Sequence, residues 1–192
     1  NRNYPDPVAG NHADGEVWQP ETQAFMGLAD TMSFVMSCNF HEGAEVVNYP
    51  WDTKSALTAD NNWWLLVSGE YADTAQYFGP SNYFTYPEPF GITNGYAWYQ
   101  VQGSRQDYMN YFKHCRESTI ELSNDQSPPG SSLPMLWEAN RRSLINYLEQ
   151  SLIGIRGIIS DSCTGNPLKA KVFISSHDFD SSHVYSALPV GN

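Results

Sequence analysis

At 192 residues, the chain suits one domain of ordinary size, or one domain and a piece of another. It is 41% hydrophobic and only 16% charged, a globular composition well removed from that of disordered chains. The 21 acids outnumber the 10 bases for a net charge of −11, which argues against nucleic acid or an anionic membrane surface as a partner.

No apolar run approaches the ~20 residues that a bilayer span needs. The chain opens on Asn1 without an initiator Met and shows no signal peptide, as expected of a mature, cleaved or truncated chain. Cys38, Cys115 and Cys163 are odd in number and far apart, so they form no Cys-x-x-Cys motif and imply no disulfide framework. Two fall near expected strands and one near a turn.

The first twenty residues, rich in Asn, Asp, Gly and Pro, read as loop. A helix is expected from Glu21 to Thr31, entered at Pro20 and carrying Phe25, Met26 and Leu28. The apolar run Met32 to Phe40 predicts a strand buried on both faces, with His41 at its carboxyl end, where sites gather in open α/β sheets. Ala59 to Gln76 predicts a second helix, with Trp63, Leu66, Val67 and Tyr71 on its apolar side. Phe78 to Asn94 predicts a long ordered loop.

Ser118 to Leu122 predicts a second strand, with Glu121 near its end, and Asn124 to Ser132 a loop. A third helix is expected from Met135 to Leu152, its apolar side formed by Leu136, Leu144, Tyr147, Leu148 and Leu152. The character then changes. Ile155 to Asp161 and Ala170 to Ile174 alternate like strands around a Thr164-Gly165-Asn166-Pro167 turn, placing a domain boundary near Gly154.

Zinc peptidases need three protein ligands and a carboxylate that takes a proton from water. The five histidines, His12, His41, His114, His177 and His183, form no H-x-x-E or H-E-x-x-H pair. A lone His at a strand end can be a ligand or merely hydrogen-bonded. Glu121 is the more telling residue, because burying a carboxylate at the end of an apolar strand is costly without a reason.

The chain up to about Leu152 resembles the latter part of the catalytic domain of zinc metallocarboxypeptidases of the carboxypeptidase A superfamily, nearest their N/E branch and its bacterial relatives. Five motifs carry the resemblance, in the family's order. They are Asn1-Arg2-Asn3-Tyr4-Pro5-Asp6; His41 with Asn48-Tyr49-Pro50-Trp51-Asp52; Gly91-Ile92-Thr93-Asn94-Gly95; Trp98-Tyr99 with Gln106-Asp107-Tyr108; and Thr119-Ile120-Glu121-Leu122-Ser123. After Gly154, the pattern Gly157, Asp161 and Thr164-Gly165-Asn166-Pro167 is similar to the start of the transthyretin-like β-sandwich that follows the catalytic domain in that branch.

The resemblance implies an α/β fold, a mixed β-sheet flanked by helices in residues 1–153, and the first strands of a β-sandwich in 154–192. It implies a secreted or periplasmic enzyme that binds Zn2+ and acts on peptide or protein C-termini. His41 would be a zinc ligand, and Glu121 the general base that activates the zinc-bound water and passes its proton to the leaving amine. Asn1 and Arg2 would grip the substrate carboxylate, since Arg can bond that planar anion through two parallel hydrogen bonds. Tyr99 would close over the C-terminal residue.

Asp52 and Gln106 match positions in the pocket for the terminal side chain, where an acid implies preference for Lys or Arg. Asp52 also fits a turn residue, and Asp107 is read as a helix-start residue. Glu42 stands where the resemblance implies a glycine. The His-x-x-Glu ligands do not occur, so these residues are expected to be an incomplete fragment, inactive alone and needing an N-terminal segment to complete the zinc site. The competing reading is a non-catalytic protein that binds peptide C-termini on a degenerate peptidase scaffold.

Overall fold

Two strands with strict alternation organise the fold. In β1 (Met36–His41) and β4 (Arg116–Ser123), side chains alternate between the two faces of the sheet. The strands are parallel, with Ser37 opposite Glu117, Asn39 opposite Thr119 and His41 opposite Glu121. Residues paired across a ladder point the same way, so these six polar side chains form one stripe. Met36, Cys38, Ile120 and Leu122 take the other face and join the larger core. The structure, a computed structural model, describes residues 2–87 and 90–188.

β2 (Ala44–Tyr49) runs antiparallel to β4, and β3 (Ile92–Asn94) parallel to β2, giving the order β1-β4-β2-β3 in a mixed sheet. β1 and β2 are joined only by Glu42 and Gly43, which cross over the end of β4. There the Gly43 amide donates to the Ser123 carbonyl at 2.7 Å, with φ at 113°, a conformation that suits glycine.

Helices cover both faces of the sheet. On one face, α2 (Asn61–Phe78) and α5 (Leu133–Glu149) contribute Val67, Tyr71, Ala72, Ala75, Ala139 and Tyr147 to the core around Val47 and Ile120. On the other, α1 (Pro20–Thr31) and α4 (Arg105–Phe112) bury Ala29, Tyr108 and Met109 with Tyr4 and Cys115. Pro20 starts α1, as expected. The short α3 (Gly95–Trp98) is capped by Asn94, which accepts from the Ala97 amide at 3.2 Å. α4 is capped by Ser104, whose hydroxyl accepts from the Asp107 amide at 3.1 Å.

Several expectations are corrected. β1 starts at Met36 and is only half-buried, with Phe40 54% exposed, because it is an edge strand of this sheet and not a central one. On α2, Val67 and Tyr71 are buried and Trp63 packs against the core as expected, but Leu66 lies in solvent and Trp64 is buried instead. On α5, Leu148 and Leu152 are exposed, while Asn140 and Ser143 turn inward, satisfied by Tyr71. The expected long loop holds buried Tyr83 and Phe84 and ends in β3; its Glu88 and Pro89 lie outside the described residues. Cys115 is buried, Cys38 only half-buried and Cys163 exposed, all free.

Beyond Leu152, which closes a 3₁₀ turn (Gln150–Leu152), the chain is mostly exposed. Ile155 to Asp161 does not form a strand; only Ser160 bridges to Pro167. The one pair of strands here, β5 (Lys171–Val172) and β6 (Val184–Tyr185), is two residues long on each side. Ile155 and Ile158 are almost fully exposed, so the alternation has no partner sheet to bury it. This tail touches the rest of the molecule through a few polar bonds. The Arg116 guanidinium donates to the Ser182 carbonyl at 2.8 Å, and Lys54 pairs with Asp180 at 2.5 Å.

Candidate functional site

The polar stripe of β1 and β4 ends in His41 and Glu121, the last pair of the ladder. His41 Nδ1 lies 3.4 Å from Glu121 Oε2, close enough for electrostatic attraction but long for a hydrogen bond. Glu121 Oε2 is therefore buried without a hydrogen-bond partner, while the imidazole is about half exposed. Burial raises the pKa of the Glu121 carboxyl, and the His41 ring pulls it part of the way back. The result is a basic carboxylate with an open lone pair. It is suited to taking a proton.

Arg2 stands across the cavity, its guanidinium carbon 5.7 Å from the centre of the Tyr99 ring. Tyr99 caps the C-terminal end of α3 and is 46% exposed. Asn1, the other expected carboxylate grip, lies outside the described residues.

The floor of the cavity is built differently. Asp52 is nearly fully buried, and its Oδ1 accepts from Asn48 Nδ2 at 3.0 Å and Gln106 Nε2 at 3.2 Å. Burial pushes its carboxyl above the ordinary range, offset in part by bonds from Ser104 and Asn48 and by the Arg2 charge. Gly95 allows this close packing: a Cβ there would lie 1.9 Å from Asp52 Oδ1. Gln106 Oε1 is buried with no partner, an acceptor left open beside Asp52.

Asp107 does more than start a helix. It sits in the first turn of α4, and its carboxylate accepts from the amides of Asp52 and Thr53 at 2.9–3.1 Å. It fixes the segment that carries Asp52. Burial, then the charge of Asp52, hold its pKa well above the usual carboxylate value. Asp6 braces the same region from below, accepting from Thr53 Oγ1 at 3.0 Å and from the Gly103 amide at 2.8 Å.

Arg2, His41, Asp52, Tyr99, Gln106 and Glu121 thus line one cavity of about 420 Å³, although 119 residues separate the first from the last. Sequence reasoning gave no role to Arg105 and Glu117. Arg105 also lines this cavity, and Glu117 is a fully buried acid on β4 that binds Arg105 Nε at 2.8 Å. The signal was present: an acid two residues before Thr119 on the same face of a strand, and a base beside Gln106.

A catalytic zinc takes three protein ligands. His41 offers one imidazole, and among the described residues no group of three His, Cys, Asp or Glu side chains could hold a metal ion. The residues present do not by themselves fit a zinc ion.

A mixed α/β sheet that carries a basic carboxylate, a histidine and an arginine in one cavity defines a peptidase-like architecture. The zinc carboxypeptidase family matches residues 1–143, and the chain belongs to that family. It is 35% identical to carboxypeptidase D of Drosophila melanogaster over 91% of this chain and 13% of that protein. It is 36% identical to carboxypeptidase M of Mus musculus over 88% of this chain and 40% of that one. Among solved structures, carboxypeptidase A of Helicoverpa armigera superimposes with a TM-score of 0.59 at 14% identity, over 80% of this chain and 42% of that one. The chain therefore spans well under half the length of these relatives.

Proposed function

We propose that these residues form the substrate-gripping and proton-transfer part of a secreted or periplasmic zinc metallocarboxypeptidase, which removes a C-terminal Lys or Arg from peptides or proteins. The observation that carries the reading is the convergence of Arg2, Tyr99, Asp52, Gln106, His41 and Glu121 on one cavity. In this reading Arg2 binds the terminal carboxylate through paired hydrogen bonds, and Tyr99 covers the terminal residue. Asp52 receives a cationic side chain, with Gln106 Oε1 as a further acceptor. Glu121 takes a proton from the attacking water and returns it to the departing amine.

His41 would hold zinc together with ligands from polypeptide other than these 192 residues. Residues 154–192 would begin a transthyretin-like β-sandwich, a reading supported by the loss of burial after Leu152.

The test is peptide hydrolysis by the complete gene product loaded with zinc, with Glu121→Gln beside the wild type. A fall in kcat of roughly 10²–10⁴ with peptide binding retained is the expected result. Unchanged hydrolysis removes Glu121 from the mechanism. Binding of C-termini without hydrolysis by the wild type makes the protein a non-catalytic receptor on the same scaffold.

A further inference from the structure

Arg105 is the first residue of α4 and is held on three sides. Nε donates to Glu117 Oε1 at 2.8 Å, Nη2 donates to the Cys38 carbonyl at 3.1 Å, and the guanidinium lies 4.6 Å from the centre of the Phe25 ring. These are the only hydrogen bonds Arg105 makes among the described residues. A guanidinium has five N–H donors, so three remain for the cavity that Arg105 lines. Glu117 is wholly buried and also accepts from Ser37 Oγ at 2.5 Å, and of the two partners only Arg105 lines the cavity.

Asp52 lines the same cavity, where its Oδ1 accepts from Asn48 and Gln106 and the Arg2 charge acts on it. The cavity thus carries acceptors, Asp52 and the unpartnered Gln106 Oε1, together with the unspent donors of Arg105. A basic terminal side chain would match the acceptors and leave the Arg105 donors unmatched.

We propose that Arg105 is a second specificity determinant: it receives the side-chain oxygens of a C-terminal Glu or Gln, so the pocket accepts these residues as well as Lys or Arg. This inference rests on the carboxypeptidase reading of the same cavity. Glu117 is its positioning residue, orienting the guanidinium without touching the substrate.

The experiment uses the zinc-loaded complete gene product and one peptide ending in Glu, Gln or Lys. It compares wild type, Arg105→Met, and Arg105→Met combined with Glu117→Gln, which avoids an unpaired buried acid if the single variant folds poorly. In the variants, kcat/KM for the Glu and Gln peptides should fall roughly tenfold or more relative to Lys, through KM, as expected for losing a charged hydrogen bond. A Glu-to-Lys ratio unchanged within about twofold in the double variant overturns the proposal. So does a wild type that favours Lys over both by a factor of about 10³ or more. If no peptide is cleaved, the carboxypeptidase reading fails by itself. Calorimetric affinities of the same peptides then decide on Arg105: loss of Glu and Gln binding in the variants supports it, and an unchanged ratio overturns it.

Discussion

The two ends of the cavity are built to different standards. At the Asp52 end, every carboxylate is buried and bonded. Asp52 is held by two amides, Asp107 accepts three bonds from two backbone amides, and Asp6 anchors the loop beneath. At the His41 end, the imidazole is half exposed, and Glu121 Oε2 is buried with nothing bonded to it. The first arrangement is braced within the described residues and leaves only the Gln106 Oε1 acceptor open. The second is poised to receive further groups. A binding pocket can be preorganised by one stretch of chain, whereas a metal centre draws its ligands from wherever three of them meet.

Substitutions can break this contrast, and the largest effect belongs to Asp107→Ala. It strands the amides of Asp52 and Thr53 in a buried place, at a cost of about 3 kcal/mol in denaturant unfolding near neutral pH. The gap should depend on pH in a known direction. Because the folded-state pKa of Asp107 lies above its ordinary 3.8, the folded state holds the proton more tightly than the unfolded state. That contribution is fully present below pH 3.8 and is lost as pH rises through the elevated value. Wild type and variant should therefore converge somewhat from acid toward neutral pH. A gap that widens with pH would show the carboxyl to be depressed instead.

Gly95→Ala ranks next. Its Cβ must displace Asp52 or the backbone, costing about 1–3 kcal/mol of stability. It should also raise KM for Lys-ended peptides more than it lowers kcat. Equal KM values for Lys-ended and neutral peptides in wild type and variant would detach Asp52 from recognition.

The smallest structural effect is expected at the other end. His41→Ala removes a half-exposed ring with two long polar contacts, to the Glu42 carbonyl and to Glu121, so stability should change by less than about 0.5 kcal/mol. Zinc retention by the complete gene product, read by elemental analysis after dialysis, should nevertheless drop. Full zinc retention in this variant would end the assignment of His41 as a ligand.

Local grammar made the strands of the candidate site legible. An apolar run ending in His41 and another ending in Glu121 were readable because strand ends are where polar residues interrupt burial, and Pro20 marked the start of α1. What escaped depended on neighbours. The depth of β1 turned on its place at the edge of the sheet, which no run of residues encodes. On α2 the pattern of large apolar residues found Val67 and Tyr71 but missed Ser68, Ala72 and Ala75, whose small side chains let the helix pack closely and which no apolar bulk announces. Arg105 and Glu117 meet across α4 and β4, and that pairing exists only in three dimensions. The tail alternated like strands, yet alternation yields a sheet only where another strand waits.

The ladder between β1 and β4 sets what kind of change this chemistry can survive. His41 and Glu121 face one another because their backbones are in register. Swaps of bulk in the core can loosen the molecule and still leave the pair aligned. A single residue inserted into either strand would turn one of the two to the opposite side of the sheet. The geometry of this site is therefore tolerant of substitution and intolerant of a change in strand length.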